Sequence, residues 1–117
     1  MKEGNVILEK SMEFAVRIVK LSKYLQKEHG ENTLSKQILR SGTSIGANIR
    51  EAVYGQSRND FVSKMSISLK EVSETEYWLE LLMRTEYITS EQYESIRIDC
   101  SEIAKVLTTI VKSTKAK

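Results

Sequence analysis

Apolar positions recur along most of this chain in alternating steps of four and three. Ile7, Ser11, Phe14, Ile18, Leu21 and Leu25 form the first such run. Leu34, Ile38, Ser41, Ile45, Ile49, Ala52 and Gln56 form the second. Phe61, Met65, Leu69, Val72, Leu79, Leu82 and Met83 form the third, and Tyr93, Ile96, Cys100, Ile103, Leu107 and Ile110 the fourth. This spacing puts one stripe of a helix against a core and leaves the rest in water. The pattern predicts helices over 5–29, 33–55, 58–86 and 90–114. Gly30 suits a helix stop, since glycine tolerates the left-handed conformation there. Asn32 or Thr33 is placed to cap the second helix. Ser57-Arg-Asn-Asp60 resembles a capping box with Asp in place of Glu, and Thr89-Ser-Glu-Gln92 is a regular one. The joins are short, so sequence neighbours should run antiparallel. The expectation is an all-α fold: one domain over 1–117, an antiparallel up-down-up-down four-helix bundle.

Some residues ask for a further reason. Gly42 and Gly46 sit four apart inside the second helix, where each glycine costs about 1 kcal/mol relative to alanine. Close approach of another backbone accounts for them. Asn48 and Glu51 suit either a polar network at a boundary or an ordinary surface. Ile67, Trp78 and Leu81 fall nearly opposite the inward stripe of the third helix. A grouped Trp, Ile and Leu suggests an oligomer interface; the alternative is a helix buried on both sides within one chain.

Composition narrows the class. Hydrophobic residues make up 40% and charged residues 29%, too apolar for a disordered chain. The chain has no proline, which leaves long helices uninterrupted. The single cysteine forms no internal disulfide, which fits a reducing compartment. Residues 1–11 lack the apolar run of a signal peptide, and no stretch reaches the roughly 20 apolar residues of a membrane span. A cytoplasmic protein with no membrane role is expected.

Net charge is only +2, yet it is unevenly placed. Residues 17–58 carry eight Lys/Arg against three Glu, and residues 71–102 carry nine Asp/Glu against two Arg. Such a division binds an anion or pairs one half of a molecule with the other half of its neighbour. Lys20, Lys23 and Lys27 point away from the core on the first helix, and Lys36, Arg40 and Arg50 do so on the second. Six cations on adjacent helices suit salt-sensitive phosphate contacts.

Catalysis has little to draw on. A di-iron bundle wants two Glu-x-x-His pairs, zinc wants several Cys or His ligands, and the chain holds one His and one Cys. No glycine loop of the Walker or dinucleotide type is present. Neither catalytic residues, nor a metal, nor a cofactor is expected.

The segment 41–82, SGTSIGANIREAVYGQSRNDFVSKMSISLKEVSETEYWLELL, closely resembles the four-helix-bundle proteins of the 23S rRNA intervening-sequence family. The matching residues are Arg40, Ser44-Ile45, Asn48-Ile49 and Glu51, then Gln56-Ser57, then Ser68 to Glu71 and Glu74 to Leu79. Gly46 departs from the proline of many relatives. Arg50-Glu51-Ala52 departs from their Ala-Glu-Gly and makes this surface more basic. The resemblance implies a small bacterial bundle that forms a homopentamer, with no catalytic residues to carry over. Two functions fit: a homo-oligomer that binds RNA or an RNA-handling partner through the six cations, and a protein-interaction scaffold with no nucleic-acid role.

Overall fold

The computed structural model describes residues 2–115. Four helices make up the chain: α1 (Lys2–His29), α2 (Leu34–Val53), α3 (Arg58–Arg84) and α4 (Ser90–Lys115). Each packs on the next, and α4 packs back on α1, so the helices occupy four corners with α2 and α4 on one diagonal. Contacts run in opposite senses along each pair. Lys10 meets Glu102 while Arg17 meets Ser95 and Asp99. Thr75 reaches Ser41 while Ser68 reaches Ile45. The result is a rod of 47 × 21 × 18 Å.

The inward stripes meet along the rod axis. Ile7, Phe14, Ile18, Leu25, Ile38, Ile45, Ile49, Met65, Leu79, Leu82, Ile103 and Leu107 are each 2% exposed or less. Burying a side chain of this size stabilises by about 1.5–3 kcal/mol. Leu34, Phe61, Leu69, Met83 and Tyr93 are only half-buried, and Gln56 lies exposed in the turn after α2, which ends at Val53.

Small hydroxyl residues thread this core. Ser22, Ser35, Ser41, Ser68 and Thr75 are all buried. Ser22 Oγ donates to the Ser35 carbonyl at 3.1 Å, Ser68 Oγ to the Ile45 carbonyl at 2.8 Å, and Thr75 Oγ1 to Ser41 Oγ at 3.0 Å. These bonds cross from helix to helix and satisfy groups that burial otherwise penalises.

The helix ends follow local chemistry, with one change from expectation. Gly30 takes φ +60° after α1. Ser57 Oγ accepts from the Asp60 amide at 3.0 Å. Thr89 and Gln92 close a reciprocal box at 2.8 and 3.1 Å. At α2, however, neither Asn32 nor Thr33 caps: Thr33 is in the helical region and its side chain makes no cap bond. Glu31 does the work. Its buried carboxylate accepts from the amides of Thr33, Leu34 and Ser35 at 2.7–3.1 Å. A full negative charge on the positive end of a helix is a stronger acceptor than a hydroxyl.

Gly42 and Gly46 line the α1–α2 contact. A Cβ at Gly42 would fall 2.8 Å from Ile18 Cγ2, and one at Gly46 3.3 Å from Ser11 Oγ and 3.5 Å from the Ser11 carbonyl oxygen. At Gly42 a packed side chain leaves no room for a Cβ; at Gly46 only the Ser11 hydroxyl is tight, and the backbone distance is ordinary contact.

Candidate nucleic-acid interface

The candidate cations stand on the outer side of α1 and α2. Lys20, Lys23, Lys27, Lys36, Arg40 and Arg50 are all exposed. The hydrogen bond from Ser22 to the Ser35 carbonyl fixes the local register of the two helices. Lys23 and Lys36 follow those residues, so they stand at one level of the bundle. Lys20 and Lys27 lie one turn to either side of Lys23. No Asp or Glu occurs between Glu13 and Glu28 or between Leu34 and Arg50. Two carboxylate-free stretches therefore lie against each other. Lys20, Lys23, Lys27, Lys36 and Arg50 make no ion pair among the described residues, whereas Lys10, Arg17, Lys64, Arg84 and Arg97 all do.

Arg40 must be corrected. It faces α3, where its guanidinium bridges Glu71 and Glu74. Glu71 Oε2 is buried without a hydrogen bond, and the Arg40 charge 3.5 Å away compensates it. Removing Arg40 would strand that carboxylate, so this side chain is occupied within its own chain. Arg50 differs in another way. It stands at the far end of α2 from Lys36, at the rim of an open groove between α1 and α2.

The other sequence candidates divide as well. Trp78 and Leu81 are half-buried, and Trp78 packs on the core while its Nε1 donates to Glu74 at 3.0 Å. Ile67 alone of the three is exposed, at 39%. The larger exposed aliphatic groups are elsewhere: Met12 and Val16 on α1 and Ile98 on α4, each at 48%. Helical phase missed these because a short apolar residue off the main stripe looks like noise in a sequence. Ser44 and Asn48 sit on the α2–α3 edge beside Arg40. Asn48 Nδ2 donates to the Ser44 carbonyl at 2.8 Å and Ser44 Oγ to the Arg40 carbonyl at 2.6 Å. Glu51 pairs with Lys64 at 3.6 Å. Arg40 with Glu71 and Glu74, and Glu51 with Lys64, tie α2 to α3, while the Ser44 and Asn48 bonds stay within α2.

The one cysteine is sequestered, and the one histidine stands exposed at the end of α1. Cys100 is fully buried, and burial, assisted by Glu76 and Asp99, pushes its thiol up from 9.0 to about 12. His29 sits edge-on between Tyr24 and Tyr87, 3.3 Å from the Tyr24 hydroxyl. Among the described residues no group of three His, Cys, Asp or Glu side chains could hold a metal ion. None of the described helices is long and apolar enough to cross a membrane.

Comparison with known proteins agrees with the architecture. No curated protein matches the chain. Among solved structures, a protein of unknown function from the S23 ribosomal protein family of Bacteroides thetaiotaomicron VPI-5482 is 65% identical. It superposes with a TM-score of 0.93, over 94% of this chain and 98% of that one. The family model for the 23S rRNA-intervening sequence protein matches residues 3–109, and the chain belongs to that family.

Proposed function

We propose that this chain is a non-enzymatic bundle that assembles with copies of itself and binds RNA by phosphate contacts. Lys20, Lys23, Lys27 and Lys36 make those contacts. The observation that carries the reading is their freedom: four exposed lysines on two adjacent, carboxylate-free stretches, none held by an ion pair among the described residues. Each of these side chains is exposed and open to a phosphate oxygen. Phosphate contacts carry no base information, so binding through these lysines is independent of sequence. The buried Cys100 supports a role without thiol chemistry.

The test is titration of a single-stranded RNA at two salt concentrations. Four contacts at about 0.7 released counterions each give a log–log slope near −3, about a sevenfold loss of affinity per doubling of salt. Lys23→Glu with Lys36→Glu should abolish binding. A flat salt response, or full affinity in that double variant, refutes the reading. The exposed aliphatic groups on α1 and α4 favour a second reading, a protein scaffold without RNA. The same titration separates the two.

A further inference from the structure

Towards the other end from its lysines, the α1–α2 surface changes character. Met12, 48% exposed, borders an open groove of about 270 Å³, and the equally exposed Val16 stands one turn further along α1, beside it. Leu8, Ala15, Gly46 and Ala47 line it together with the hydroxyl residues Ser11 and Thr43, Arg50 stands at its rim, and no carboxylate is among the lining residues. Gly46 presents no side chain, so the groove sinks to the helix backbone there. It is a socket for an aliphatic side chain, with a positive edge.

The opposite corner of the bundle carries the matching shape. On the outer face of α4, Ile98 is 48% exposed. Glu91, Glu94 and Glu102 stand one or two turns away on the same face, all exposed. Ile98 is thus an aliphatic knob flanked by three carboxylates, with one cation, Lys105, two turns along the same face. Glu94 pairs with Arg97 and Glu102 with Lys10, but exposed pairs of this kind are worth little and change partners readily. α2 and α4 lie on a diagonal and do not touch, so no molecule can seat its own knob in its own socket.

We propose that the α1–α2 groove of one molecule receives the Ile98 face of α4 from a second copy, with Arg50 facing the α4 carboxylates. This rests on the self-assembly part of the reading above and names the two faces that meet. Socket and knob are different surfaces, so the contact is head-to-tail and each copy keeps one free face of each kind until a ring closes. Opposite charges at the rim steer and orient the encounter. RNA is a poor occupant of this groove, which has no aromatic side chain to stack on a base and a single cation. Lys20, Lys23, Lys27 and Lys36 stay outside the contact, available for phosphate.

A mixing experiment tests the asymmetry. Met12→Asp with Val16→Asp spoils the socket and leaves the knob; Ile98→Asp spoils the knob and leaves the socket. All three positions are exposed, so both variants should keep wild-type helicity by circular dichroism. By light scattering, each alone should be monomeric at concentrations where the wild type is assembled. Mixed in equal amounts, they should give a species of twice the 13.4 kDa chain mass, because one intact knob meets one intact socket. Variants that keep the wild-type mass overturn the assignment and leave the groove to some other occupant. A mixture that stays monomeric also overturns it, since a symmetric contact cannot be rescued this way. A monomeric wild type removes self-assembly itself, while an assembled wild type with unaffected variants removes only these two faces.

Discussion

Replacing Gly42 by alanine sets two opposed effects against each other. Alanine favours the helix by about 1 kcal/mol over glycine. Its Cβ would also lie 2.8 Å from Ile18 Cγ2 and 2.9 Å from Cγ1. Ile18 is 0% exposed, so it has no free space to retreat into. Overpacking of this kind costs about 1–3 kcal/mol, and the balance is a loss of about 1 kcal/mol. Gly46→Ala is the internal control. Its contact, 3.3 Å from the rotatable Ser11 hydroxyl, can yield, so that variant should be neutral or slightly stabilised. Ile18→Ala makes the test sharper. By itself it costs about 2–5 kcal/mol. In that background the clash is gone, and Gly42→Ala should stabilise by about 1 kcal/mol, a coupling of about 2 kcal/mol across the pair. Urea unfolding at one fixed protein concentration reads the effect as a shift in midpoint at constant slope. If Gly42→Ala raises the midpoint, or shifts it equally with and without the Ile18 side chain, the close contact is not why glycine is there.

Other expectations follow from individual residues. Glu31→Ala should cost about 1–2 kcal/mol through loss of the α2 cap, and Glu31→Gln about half that, seen as a melting temperature lower by several degrees. Cys100 should resist a disulfide reagent at pH 8 in the folded protein and react only as the chain unfolds. Because its folded pKa, about 12, exceeds its unfolded value of 9.0, the group favours folding below pH 9. That contribution is lost as pH rises from 9 towards 12, so Cys100→Ala should flatten the alkaline loss of stability relative to its own neutral value. Arg40→Gln should lower stability by about 1–3 kcal/mol, because it leaves the buried Glu71 oxygen without its countercharge. It should leave RNA affinity within about twofold, whereas Lys36→Gln should lower that affinity and make the salt slope shallower by about one contact.

The bundle was legible because its core repeats strictly. Every aliphatic residue assigned to the α1 and α4 stripes is buried. On α3 the reading of the stripe went astray where it passed over small hydroxyls. Met65, Ser68, Val72, Thr75, Leu79 and Leu82 keep alternating steps of three and four, and all six are buried. Ser68 and Thr75 belong to that stripe, but a scale that counts only apolar residues skips them and selects the half-buried Leu69 instead. The basic face was legible only in part. Sequence places Arg40 on the outer side of α2, but its pairing with Glu71 and Glu74, 31 and 34 positions away, depends on how α3 is seated. Trp78 shows a related limit of helical phase: a large ring can lie along a helix and reach the core from an outer position. Glu31 escaped notice because it precedes the positions where caps are normally sought, and only the turn at Gly30 brings its carboxylate under α2.

The crossing hydroxyls have a mechanical consequence. A seam of aliphatic side chains alone can slide by one turn and find new neighbours of similar shape. Here, shifting α2 against α1 or α3 would pull Ser22, Ser68 and Thr75 away from their acceptors and leave each dangling in a dry interior. α2 is therefore latched on both flanks. The seam between α4 and α1 has its polar ties at the surface, through Lys10 and Arg17, where salt and water compete for them. The rod has a stiff side and a yielding side, and amides of α4 should exchange with solvent sooner than those of α2.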